Sequence, residues 1–277
     1  MLSLRIMRST CAAILLLAGA FAAEAQKTPG QPAQKGSIVS QVPSDVVKEL
    51  APTGKLRAAI NLGNPVLAQG TPEAPRGVTV DLARELARRT GLALELVPFP
   101  AAGKVFEALQ AGAWDVAFLA IEPVRAAEIF FTAPYVIIEG VYLVPKDSPL
   151  KTVADVDRAG VRIGVNKNSA YDLFLTRTLK AAQLVRGENG VALFVEQKLE
   201  AAAGVKQPIA AYAQNHPDVR VMGGRFMEIR QAMGTPRGRE AAAAYLKNFV
   251  EEMKASGFVA AALQRSNQPD AAVAPAE

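Results

Sequence analysis

His216 is the one histidine of the chain and Cys11 its one cysteine. With so few nitrogen and sulfur ligands, a Ser-His-Asp nucleophile or a zinc centre has almost no raw material. His216, within Asn215-His216-Pro217-Asp218, reads as a turn residue. No Gly-rich phosphate loop is present, so ATP hydrolysis would belong to a partner. Hydrogen bonding and charge remain. The planar fork of Arg125 can donate two parallel hydrogen bonds, which lysine cannot reproduce. Its other reading is a surface arginine paired with Glu122 or Glu128 at helical spacing. Asn168-Ser169 introduce a helix, where free N–H groups and a hydroxyl make either an anion cradle or an ordinary N-cap. Glu196 reads equally well as a solvated charge, and Glu122 either neutralises Arg125 or accepts a cation.

The elements that position these residues follow from patterning. Arg5 and Arg8 precede an apolar run from Cys11 to Ala23 and the small-residue site Ala23-Glu24-Ala25, the layout of a secretory signal peptide cleaved near Ala25. Removing it takes away the only cysteine, and with it any disulfide or thiolate metal site. Loss of Arg5, Arg8 and Glu24 lowers the net charge from +5 to +4, a mild excess that usually serves solubility and only weakly favours an anionic or zwitterionic ligand. Basic residues form no aromatic-interleaved stripe, so nucleic acid is not expected as a partner. Residues 26–44 read as a flexible leader and 266–277 as a disordered tail, both rich in polar and breaker residues.

Between them short apolar runs alternate with helical ones, which predicts an α/β fold. Strands are expected at Lys55–Leu62, Leu94–Val97 and Asp115–Ala120. The helices between them should start at Thr79, stop at Gly91, and resume near Lys104. That order predicts a parallel sheet with right-handed crossovers. A second unit predicts strands at Val141–Val144, Val161–Val165, Gly190–Val195 and Val219–Met222, and helices from Ser169 to Leu179 and from Lys198 to Ala213. A last helix is expected with Thr235 as its cap, Pro236 in its first turn, Leu246, Phe249, Val250 and Met253 buried, and Gly257 at its end.

Several landmarks in order resemble the family-3 extracellular solute-binding proteins, the polar amino-acid receptors of bacterial ABC importers. They are Gly54-Lys55-Leu56-Arg57, Gly77-Val78-Thr79-Val80-Asp81-Leu82-Ala83, Ala108-Leu109-Gln110-Ala111-Gly112 before Trp114-Asp115-Val116, Arg125 with Phe131-Thr132-Ala133-Pro134-Tyr135, Ile163-Gly164-Val165, and Gly257-Phe258. The resemblance implies a periplasmic binding protein type II-like fold, two α/β lobes joined by two crossing segments. Lobe 1 would span 45–137 and return over 227–265, with lobe 2 at 138–226 and the crossings near Val136–Gly140 and Arg225–Ile229. It implies a periplasmic, monomeric, non-enzymatic protein that takes a small carboxylate-bearing solute to an inner-membrane ABC permease and needs no cofactor or metal. A periplasmic dehydratase of the cyclohexadienyl dehydratase type is the alternative on the same scaffold, with Glu122 or Glu196 as its carboxylate.

By the same resemblance Arg125 holds the ligand carboxylate, Asn168 and Ser169 stand where the family has Gly followed by Ser or Thr, and Glu196 or Gln197 faces the ligand amine. Three departures stand out. Asn64-Pro65-Val66-Leu67 replaces the family's aromatic wall, Asp115 to Arg125 is shorter than is typical, and Glu122 stands where a Thr or Ser helps bind the carboxylate. Phe99, Tyr135, Tyr142 and Tyr171 could supply a replacement aromatic surface.

Overall fold

Helix α1 (Ser44–Leu50) precedes β1 (Leu56–Asn61), whose inward residues Leu56, Ala58 and Ile60 are fully buried. The computed structural model describes residues 42–277; the expected signal peptide and most of the expected leader lie outside them. A small hairpin of β2 (Gln69–Gly70) and β3 (Pro75–Arg76) leads to α2 (Val78–Thr90). Then come β4 (Leu94–Phe99), α3 (Ala102–Glu107), β5 (Val116–Ala120) and the single turn α4 (Pro123–Ala126). Strand β1 pairs in parallel with β4 on one side and β5 on the other. Gly91 closes α2 with φ 69°, the left-handed conformation that a glycine adopts without steric cost. Gly77, at φ 118°, precedes α2; Thr79 lies inside the helix instead of capping it and donates its hydroxyl to the Leu67 carbonyl at 3.2 Å.

The chain then enters β6 (Ile129–Pro145), a strand of 17 residues. Beyond a helical turn at Val153–Val156 lie β7 (Arg162–Asn166), α5 (Ala170–Thr178), β8 (Gln183–Gly187), α6 (Gly190–Glu196), β9 (Ala201–Val205), α7 (Lys206–Gln214) and β10 (Val219–Val221). Strand β11 (Met227–Pro236), α8 (Glu240–Ala255), α9 (Phe258–Arg265) and β12 (Ala272–Val273) complete the chain. The strand order is β4-β1-β5-β11-β6-β9-β7-β8, so β6 and β11 join two α/β halves. Gln231 to Gly234 of β11 pair with β5 in the first half, whereas β6 begins pairing with β9 of the second half at Gly140.

Four further expectations are corrected. Gly190–Val195 is helix α6, not strand: Asn189 Oδ1 accepts from the N–H groups of Val191 and Ala192 at 3.0 and 3.1 Å, which starts a helix. The strand is β8, just before it. The stretch 198–213 is not one helix, because the buried alanines of β9 pair with both β6 and β7 before α7 begins. Thr235 and Pro236 end β11, and Thr235 donates to the Asp115 carbonyl at 3.0 Å; α8 starts at Glu240 and Gly257 instead precedes α9. Residues 266–277 are not structureless: β12 pairs with Val136 and Ile137 of β6, the Ala274 N–H donates to the Tyr135 carbonyl at 3.1 Å, and Ala271 and Ala274 are buried.

Candidate functional site

A cavity of about 560 Å³ lies between the halves, at the carboxyl ends of β1, β5 and β7, where open α/β sheets place ligand sites. The first half contributes Asn61, Asn64 and Pro65 after β1, and Arg125 of α4. The second contributes Asn166, Ser169, Tyr171, Asn189 and Glu196, and β11 adds Ile229 and Gln231. Most of the remaining wall is aliphatic, including Leu119, Val191 and Ile209. At the mouth Val195 is 52% exposed, an apolar side chain left on an open lip.

Arg125 is 1% exposed, which excludes the surface-arginine reading. Its Nη1 donates to the Ala120 carbonyl at 3.1 Å and its Nη2 crosses to the Asn168 carbonyl of the second half at 2.9 Å. Nε has no partner among the described residues. Burial pushes this guanidinium down to about 10 from its ordinary value, opposed by the charge of Glu122. A cation so placed is under-compensated and favours an incoming anion. Glu122, buried beside it, does not line the cavity: its carboxylate accepts from Arg177 of α5, an ion pair that also spans the halves. Glu128 accepts from Gln110.

Asn168 adopts φ 59° and its N–H donates to Asp172 at 2.8 Å. It meets the first half through its carbonyl but does not itself line the cavity. Ser169 does, as the N-cap of α5, its Oγ accepting from the Asp172 N–H at 3.1 Å. Glu196 lines the cavity from an exposed position near the mouth; Gln197, the C-cap of α6, is turned out of the lining. Of the aromatic candidates Tyr171 reaches the cavity, and burial pushes its hydroxyl up to about 12, against hydrogen bonds from Ser169 and Asn166. Phe99, Tyr135 and Tyr142 do not line it; Tyr135 packs edge-on against Phe118. His216 stacks on Tyr212, with Nδ1 2.8 Å from the Tyr212 carbonyl, as a turn residue does.

The asparagines at 61, 166 and 189 and Gln231 were missed from sequence. Their signal was positional, since Asn61 and Asn166 end strands and Asn189 precedes a helix, but the same residues are common in plain turns.

A family model for bacterial extracellular solute-binding proteins, family 3, matches residues 56–267. The chain belongs to that family. Solved structures share its fold, which is periplasmic binding protein type II-like. A mutant of ArgBP from T. maritima superposes with a TM-score of 0.67 at 20% identity, over 80% of this chain and 99% of that one. A solute receptor for L-cysteine of Neisseria gonorrhoeae gives 0.68 at 21% identity, over 80% and 94%. An ancestral amino-acid-binding protein described as a precursor of cyclohexadienyl dehydratase gives 0.65 at 22% identity, over 79% and 97%. A search of curated proteins found no match. The family likeness spans both halves and both crossing strands, and so covers every residue that lines the cavity between them.

Proposed function

We propose that this chain is the periplasmic substrate-binding component of an ABC-type importer, and that it captures a small carboxylate-bearing solute, an amino acid or related compound, between its halves. The observation that carries this reading is Arg125, buried, facing the cavity, and with Nε unpartnered while Nη2 reaches the opposite half. Solute would join Arg125 to the start of α5 at Ser169, adding weight to the closed state because only that state touches it from both sides. Family membership supports delivery to an inner-membrane permease by a protein outside the cytoplasm. Structural neighbours include an arginine-bound substrate-binding protein from Streptococcus pneumoniae, which supports a carboxylate-bearing solute.

Capture is favoured over turnover. Proton transfer of the dehydratase kind needs a carboxylate of raised pKa in a closed site. Glu122 is committed to Arg177 and Glu196 stands exposed at the mouth. Calorimetry of refolded, ligand-free protein against amino acids and organic acids tests the proposal. Arg125→Met should weaken a confirmed binder by about 30-fold or more, the loss of a buried charge-assisted contact worth roughly 2 kcal/mol or above. Unchanged affinity would remove Arg125 from the site, and formation of aromatic product from prephenate or arogenate would reinstate the enzyme.

A further inference from the structure

Four side-chain amides of the cavity share one hydrogen-bonding sense. Asn61 Oδ1 accepts from the Gly63 N–H at 3.0 Å, Asn64 Oδ1 from Val66 at 3.3 Å, Asn166 Oδ1 from Gly190 at 2.8 Å, and Asn189 Oδ1 from Val191 and Ala192. A backbone N–H can only donate, so each of these amides is held with its oxygen turned to the main chain. The four NH2 groups have no partner among the described residues, and all four asparagines line the cavity. Ser169 Oγ is likewise used as an acceptor, by the Asp172 N–H. Arg125 and Lys167 add cationic donors.

Acceptors are few. Glu122 is paired with Arg177, and Asp172, 2% exposed, accepts from Arg186 and from the Asn168 N–H; neither lines the cavity. Among the described residues Glu196 is the one carboxylate in the lining, and it is exposed at the mouth. Gln231, buried, brings one neutral amide. An ammonium group drawn inside would shed its water and face amide N–H groups and a guanidinium. The anion of the same solute would find donors on several sides, and its body would lie on Leu119, Val191, Ile209 and Ile229.

We infer that the cavity selects an organic anion with an apolar body and no α-ammonium group, a carboxylate in preference to the matching amino acid. This deepens the proposed function and rests on its assignment of Arg125 to the solute carboxylate. It also accounts for the absence, among the described residues, of a buried acidic side chain from the lining, the kind of group that would balance a desolvated amine.

Calorimetric titration of the refolded full chain with matched pairs is the test: hydrocinnamate with phenylalanine, isocaproate with leucine, glutarate with glutamate. The amine-free member of a binding pair should bind at least about tenfold more tightly than its amino-acid partner, the discrimination that one unpaired buried group imposes. Gln231→Glu, which places a carboxylate in the lining, should narrow or reverse that ratio. Equal or tighter binding of the amino acid overturns the inference and leaves the Arg125 assignment standing. Failure of every carboxylate of both series to bind overturns both. The wild-type comparison decides the matter even if Gln231→Glu does not fold.

Discussion

Gly103 lies in the first turn of α3 with its back to the second half. A Cβ built there would stand 2.7 Å from Asn168 Cβ and 3.3 Å from the Lys167 carbonyl oxygen, and both atoms belong to the opposite half. Asn168 has little room to retreat, since its N–H is bonded to Asp172 and its carbonyl to Arg125. Gly103→Ala therefore penalises the closed arrangement, while in the open one it improves a helix by up to about 1 kcal/mol. Overpacking at such a contact costs roughly 1–3 kcal/mol, which on the closed state alone weakens solute binding about 5–150-fold. Gly103→Val should do more. Calorimetric titration with the tightest carboxylate of the matched series reads the affinity, and small-angle scattering should show a larger radius of gyration with solute present than the parent has. Binding of both variants within about twofold of the parent, below the weakest coupling expected, would refute the claim that closure brings α3 against Asn168.

Three further outcomes follow from the same geometry. Arg177→Ala strands the buried Glu122 beside Arg125, so solute affinity should fall about tenfold, and adding Glu122→Gln should restore most of it; a double-mutant cycle by calorimetry reads this coupling. Arg88, and then Arg89, hold the Glu85 carboxyl at about 2, below its ordinary 4.5, so their stabilisation is whole above that value and is lost as pH falls from 4.5 toward 2. Melting curves across that window should show a shallower decline for Glu85→Gln, by on the order of 1 kcal/mol given the exposure of Arg88. Deleting 271–277 removes the β12 pairing to β6 and the Ala274 bond to Tyr135, and urea unfolding should report a loss of about 2 kcal/mol.

Local signals were strongest where one residue type answers one backbone need. Gly91 ends α2 in the left-handed region, Ser169 caps α5, and Asn168 takes the positive φ that the resemblance expected of Gly. The apolar face of α8, with Leu246, Phe249, Val250 and Met253, and the parallel trio β1, β4 and β5 were readable from their periods. Signals failed where two states share a pattern. Ala201 to Ala203 are good helix formers yet become strand because their small side chains fit, fully buried, between β6 and β7. The Thr235-Pro236 signature of a helix start was overridden by pairing of β11 along both of its edges.

From residue order and type alone came the class of fold, the family likeness, and Arg125 and Ser169 as polar groups of a cleft. Tertiary structure alone decided that Arg125 reaches the Asn168 carbonyl, that Glu122 turns to Arg177 away from the cavity, and that Glu196 stands in the lining while Gln197 does not. It also decided which face of each asparagine amide is spent on the main chain. The physical reason is that a helix cap or a period is settled within a few residues, whereas an ion pair across 55 positions, or the free side of an amide, depends on which backbone arrives opposite once the halves have packed.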